Sequence, residues 1–452
     1  MSESLSQHLA ALAARPVDDT TRMHAAVRVL DWLGCALLGA TAEAGRVLAA
    51  YGRTRPAGPS LTIGAGRRDA ETAALVNGSL GNIFEMDDVH RTSIVHPGDV
   101  VIPAALAVAE RDGIGTVPFL DAVVGGYEVA VRVGLAAGRG HYRTWYPTAT
   151  CGVFGAAAAA AVLEGLDGEG TADALGQAGM QASGLWQCRV EPTHSKQLAA
   201  GRAAQSGVIA ADLAKLGLAG PRQILEGTHG FFAAACPDAQ PQRATADRGA
   251  PWKMLDTSFK PWPACRHAHP AIEAVLSIRD GLDSGAVAGI DIFTYLEAVE
   301  FCDKPAPGSV DEARFSLQHC AALALVKGPP ELSDFEAEGL VDAAVAALRD
   351  KVTVKEDAEF TKDFPERYGA RLEVRLGDGE RRQASVATAK GDPENPMSGP
   401  EIEAKAQANM SAAGLGREQV ERLIAACRAL ADGGPIAALG DVLAEAPRRA
   451  EQ

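Results

Sequence analysis

Over roughly the first 260 residues, apolar side chains recur at helical spacing in one segment after another. Met23 to Leu38 is one such run, and Val117 to Leu135 is another. Val100–Arg111 follows Asp99, a residue type suited to N-capping. Residues 151–165, CGVFGAAAAAAVLEG, predict a helix of very small side chains, the kind used where two backbones approach closely; Ala204 to Leu216 repeats the style. Ala74, Leu75, Leu80, Ile83 and Phe84 predict a further helix whose last turn carries Glu85, Asp87 and Asp88. The expectation is a helical bundle with a small-residue core.

Past Pro270 the period changes. Ile290-Asp-Ile-Phe-Thr-Tyr-Leu-Glu alternates with period two, Lys351–Lys355 reads as a short strand, and Arg371–Leu376 alternates up to Gly377-Asp378-Gly379, a hairpin turn returning through Gln383–Thr388. Helices at about 316–326 and 337–350 lie between these strands. Lys390-Gly-Asp-Pro-Glu-Asn-Pro is a turn-rich link, after which Glu401 to Leu443 is helical again. The 452 residues exceed what one core usually serves, so two domains are expected. The reading is a mainly α chain: an all-helical domain from 1–269 and 393–452, and a smaller α+β domain from 270–392.

Charge and cysteine usage narrow the class. Forty-three basic against 58 acidic residues give a net charge of −15, which argues against a general binder of nucleic acid or anionic membrane. A few buried cations can still dominate a pocket, so an anionic substrate stays open. Eight scattered cysteines with no CxxC pair suggest neither a disulfide framework nor a zinc knuckle. The N-terminus lacks a basic segment followed by an apolar one, and Val153–Leu163 is too short to span a bilayer. A soluble cytoplasmic protein is expected.

Three segments carry candidate chemistry. At a predicted helix C-terminus, Glu85, Asp87 and Asp88 each cost about 0.3–1 kcal/mol against the dipole, and Glu85 repels Asp88 at i,i+3. His90 and His96 follow closely, and acids beside imidazoles are what proton transfer needs. A solvated acidic helix end with Arg91 as counter-ion is the plainer alternative. Lys196, with Ser195 as N-cap, falls in the first turn of a helix, where cation and free amides together suit a carboxylate; an ordinary surface lysine would look the same. In Phe259–His269, Pro261 and Pro263 stiffen a strip displaying Lys260, Cys265, Arg266, His267 and His269. The i,i+2 histidines lack an acidic neighbour, so a metal is not expected; a structural strip is the alternative. His141, Trp145, Tyr146 and His319 are weaker candidates, as are Trp186, Cys188 and Arg189. No Walker loop, GxGxxG turn or GxSxG elbow is present.

VNGSLGNIFEMDDVH at 76–90, HPGDVVIPAALAVAE at 96–110 and GYEVAVRVG at 126–134 occur in order with YPTATCGVFGAAAAAA at 146–161 and SKQLAAGRAAQSGVIAADLA at 195–214. GPRQILEGTHGF at 220–231, FKPWPACRHAH at 259–269 and KGDPENPMS at 390–398 complete the series. In that order they resemble the MmgE/PrpD superfamily of 2-methylcitrate dehydratase, cis-aconitate decarboxylase and iminodisuccinate epimerase. The resemblance implies a large helical domain built from both chain ends, a smaller α+β lid, a homodimer, and a cleft active site without cofactor or metal. It also implies removal or addition of a proton next to a carboxylate, followed by loss of water or carbon dioxide, or by reprotonation.

The chain departs from the family pattern at informative places. Glu85 stands where Asp is usual. In the cis-aconitate decarboxylase branch, Val89 corresponds to threonine, Tyr146 and Cys265 to histidine, and His319 to tyrosine, whereas His96, Lys196 and Lys260 are kept. The expected catalytic set is therefore His96, Asp87, Asp88, Tyr146 and His319, with Lys196, Lys260, Glu85, Arg266 and His269 binding substrate. The expected function is a lyase acting on a small polycarboxylate-like acid, by dehydration or decarboxylation. An epimerase and an inactive carboxylate binder are the alternatives.

Overall fold

The computed structural model describes residues 3–191 and 193–444 and is mainly helical. The chain divides into two compact units. Unit 1 comprises 1–83, 87–257 and 398–452; unit 2 comprises 84–86 and 258–397.

Unit 1 is organised around helices α1 (Asp19–Gly39), α2 (Ala70–Leu80), α3 (Gly98–Asp112), α4 (Thr116–Ala137), α5 (Gly152–Leu163), α6 (Ser195–Lys215) and, from the C-terminal part of the chain, α7 (Gly399–Ala412). The small-residue helix α5 is central. It packs on α3, α4 and α6, and only Val162 escapes full burial. A Cβ on Gly155 would come within 2.5 Å of the Gly126 carbonyl oxygen, so this crossing requires glycine. With side chains this short, each residue buries little area, and the stabilisation comes from backbone-level contact over many atoms. Helix α7 lies along α1 and so ties the C-terminal part of the chain to its beginning.

Unit 2 holds a four-stranded sheet in the order β4-β3-β5-β6, from β3 (Val287–Thr294), β4 (Val352–Glu356), β5 (Ala370–Leu376) and β6 (Arg381–Val386). β3 pairs parallel with β4 and antiparallel with β5; Ile292 stands opposite both Val354 and Leu372. The β5–β6 hairpin turns at Gly377–Gly379, where the sequence places it; Gly379 has φ 92°. Helix 269–278 packs against β5 and β6, and helix 317–326 against β4.

Four expectations fail locally. The stretch after α1 is not wholly helical, because β1 (Ala57–Thr62) and β2 (Gly66–Arg68) form a hairpin with the glycine turn at 64–66. Helix α2 stops at Leu80 rather than running through Asp88, so neither the dipole penalty nor the i,i+3 repulsion exists. The acids instead sit in an irregular loop, with Glu85 at φ 56° and a single bridge from His90 to Val95. Asp99 is not an N-cap: Pro97 holds that position and Asp99 lies inside the first turn of α3. Likewise α6 starts at Ser195, with His194 in the cap position and no side-chain cap bond. Among the described residues, no single helix is long and apolar enough to cross a membrane.

Candidate active site

The loop 81–97 owes its shape to bonds made beyond it. Asp88 accepts from the Gly98 amide at 3.0 Å and from the Tyr127 hydroxyl at 2.9 Å, while Arg28 stands 3.5 Å away. That carboxylate therefore satisfies the first turn of α3 from outside the helix, which explains why no side-chain N-cap is needed. Gly98 has to be glycine, since a Cβ there would lie 2.7 Å from Asp88 Oδ1. Burial raises the Asp88 carboxyl above its usual range, against the pull of Arg28. Asp88 is thus a strut of the loop, not a free acid.

Asp87 has the other role. Its Oδ2 lies 2.5 Å from Nδ1 of His96, whose side chain is 12% exposed while Asp87 is 2% exposed. The His96 amide donates to Thr148 Oγ1 at 3.0 Å, anchoring the imidazole to the turn that begins at Tyr146. Tyr146 is buried, stacks obliquely on Trp186 at 4.6 Å, and has the Lys196 ammonium 6.0 Å from its ring centre. Unit 1 therefore brings together Asp87, His96, Tyr146 and Lys196, along with Thr148 and Trp186.

Other histidines are committed elsewhere. His90 Nδ1 bonds Ser93 Oγ at 2.9 Å; burial, aided by Lys253 and Arg91, pushes its pKa down to about 3. His141 bridges the Ala235 carbonyl and Thr150. His96 combines a buried carboxylate partner with partial solvent access, whereas the carboxylate beside His8, Glu3, is exposed.

In unit 2, Lys260 is fully buried and its Nζ lies 3.5 Å from Glu85 Oε2. Arg314, which sequence reasoning did not single out, lies over the Phe84 ring at 4.7 Å and feels the Glu85 charge. Cys265 also neighbours Glu85 and Lys260; a hydrogen bond from Cys302 holds its thiol below the ordinary range. Arg266 and His269, expected to bind substrate, spend their polar atoms internally. Arg266 reaches Asp392 and the Lys390 carbonyl, and His269 bonds Arg266 at 3.1 Å and the Ala264 carbonyl at 3.0 Å. They pin the 389–392 link. His319 is fully buried beside Phe335, and neither ring nitrogen has a hydrogen-bond partner among the described residues. Burial lowers its pKa to about 4, and the charges acting on it are Arg349, Asp334 and Lys327 rather than Lys260 or Glu85.

The residues missed lie under the loop. Arg28 and Asp31 interrupt the apolar run of α1, a signal available in the sequence; Lys405, 2.7 Å from Asp31, comes from α7 with no local sign of its role. Among the described residues no three His, Cys, Asp or Glu side chains are grouped as metal ligands.

An acid–imidazole pair beside a lysine, held in one helical unit, is an arrangement suited to proton transfer on an anionic ligand. Comparison with known proteins gives the family. Residues 3–244 match the MmgE/PrpD N-terminal domain and residues 262–430 the MmgE/PrpD C-terminal domain. A cis-aconitate decarboxylase-like protein, oryM, of Aspergillus oryzae is 30% identical over 409 residues, covering 83% of each chain. Human cis-aconitate decarboxylase is 28% identical over 452 residues, 96% of this chain and 92% of the relative. The mitochondrial 2-methylcitrate dehydratase of Yarrowia lipolytica is 30% identical over 231 residues, 48% and 44% of the two chains. The chain belongs to the MmgE/PrpD family and is an enzyme of lyase type.

Proposed function

We propose that this protein removes a proton alpha to a carboxylate of a small polycarboxylic acid and expels water, with loss of carbon dioxide as the variant outcome. The carrying observation is the 2.5 Å contact between Asp87 and the partly exposed His96. An imidazole can both take and give a proton, and a buried carboxylate beside it fixes its tautomer and orientation. Lys196, close to the Tyr146 ring, and Lys260 are the carboxylate-binding cations, each supplying a charge-assisted donor. Tyr146 is the second proton-transfer group; its phenol replaces the imidazole of the decarboxylase branch. Relatives named as decarboxylases and dehydratases support the polycarboxylate class.

Incubation with a panel of di- and tricarboxylic acids in deuterated water, followed by NMR, tests this reading. Loss of water or carbon dioxide from one acid supports it. Alpha-deuterium exchange without a new product makes the protein an epimerase, and silence across the panel makes it a binder.

A further inference from the structure

One buried ionisable group takes no part in the chemistry proposed above. Asp99, in the first turn of α3, is completely buried, and among the described residues neither carboxyl oxygen receives a hydrogen bond of normal geometry. Its place exists because residue 81 is glycine: a side chain there would collide with Asp99 Oδ1, and a Cβ would lie 3.0 Å from its Cγ. A carboxylate whose oxygens accept no well-formed hydrogen bond is a costly thing to bury. A carboxylic acid is not, provided that it can itself donate.

The surroundings supply the acceptor. Asp87 and Asp88 are the charges that act on Asp99, and Asn82 is its neutral neighbour. Around this group α1 contributes Arg28, Asp31 and Cys35, α4 contributes Tyr127, and α7 contributes Lys405. If all four acids were ionised, Asp31, Asp87, Asp88 and Asp99 would face Arg28 and Lys405 as the fixed cations. With Asp99 neutral, one carboxylate fewer faces those two cations. Burial and the two nearby acids hold the Asp99 carboxyl well above the usual carboxylate range, in agreement with that count.

We propose that Asp99 is a positioning residue: a neutral carboxylic acid that donates its proton to Asp87 and so holds the Asp87 carboxylate on His96. The role rests on the reading of His96 as the proton-transfer group. Asp99 touches no substrate; it acts through Asp87. Asn at this position preserves both shape and a donor, whereas Leu preserves shape alone.

Three readouts test the proposal on the full-length protein. Infrared difference spectra between wild type and Asp99→Asn should show one protonated carboxyl band at neutral pH that the variant lacks. NMR of carbon-labelled histidine, with the His96 signal assigned through His96→Asn, should show its titration nearly unchanged in Asp99→Asn. In Asp99→Leu the titration should move upward by about half a pH unit or more, because Asp87 no longer shares its charge. On the acid found by the panel, Asp99→Leu should lower kcat roughly tenfold with KM little changed, while Asp99→Asn stays within about threefold of wild type. No band lost in Asp99→Asn, or an identical His96 titration in Asp99→Leu, overturns the clamp. If Asp99→Leu does not fold, the infrared comparison still decides. A His96→Asn variant with normal turnover would instead remove His96 as the proton carrier, while the band and the titration report on Asp99 independently.

Discussion

Within Phe84–Asp88 the chain builds two carboxylate–cation pairs of opposite character. Glu85 clusters with unit 2 and meets Lys260; Asp87 clusters with unit 1 and meets His96. Lys260 is wholly buried, so its pair with Glu85 is closed to solvent. His96 is partly exposed, so its pair is open to solvent, and on the proposed reading it passes a proton to and from the substrate. The two acids stand only two positions apart in the chain. On the proposed reading, the chemical type of the partner and its access to solvent separate a charge-holding pair from a proton-moving one.

The largest expected effect falls on the fixed pair. Lys260→Met removes one member of the buried pair with Glu85, a loss that costs about 3–5 kcal/mol of stability. Thermal or urea unfolding should show that loss, and adding Glu85→Gln should recover most of it without restoring turnover. Recovery of turnover in the double variant would remove Lys260 from substrate binding.

The switchable pair should show the reverse pattern. His96→Asn is expected to cut kcat by at least ~10²-fold, the scale for losing general acid–base help, with little change in unfolding free energy. Tyr146→Phe should cost a similar factor in kcat if its hydroxyl moves the second proton. Steady-state kinetics alongside unfolding curves separates these from Lys260→Met. A His96→Asn enzyme with near-normal turnover would leave the contrast between the two pairs without functional meaning.

His319 offers a third environment, an imidazole buried without a charged partner. Its pKa is depressed to about 4, so the folded state binds fewer protons than the unfolded chain between those values. Its stabilising contribution is complete above about pH 6.5 and is lost as pH falls toward 4, an effect on the order of 2–3 kcal/mol. His319→Phe should be less acid-sensitive than wild type by that amount; identical acid unfolding of the two proteins would show that His319 is not buried neutral. Smallest is Lys196→Ala, where one charge-assisted donor is lost. KM or kcat/KM should worsen about tenfold with stability unchanged, since this lysine starts a helix near the surface.

Periodicity alone carried the helical bundle, the small-residue helix at 152–163 and the hairpin of 370–386, because each depends on residue spacing within one short segment. The acids, His96 and the two lysines were also legible as chemistry-bearing types in odd company. Their division was not. Whether Asp88 is a strut, Asp87 a partner or Asp99 a neutral acid depends on Tyr127, Arg28, Gly81 and Lys405, which lie up to hundreds of residues away in sequence. The assumption that α2 continued through Asp88 failed for the same reason: long-range hydrogen bonds, absent from any local pattern, offset the lost helical turns. Arg266 and His269 looked like ligand groups until the 389–392 link claimed Arg266, and Arg266 with the Ala264 carbonyl claimed His269. Sequence determined which groups were present and which segments were regular. Burial and partners, set only by the packed chain, decided which of those groups hold charge and which move protons, because both change the free energy of ionisation while leaving residue identity untouched.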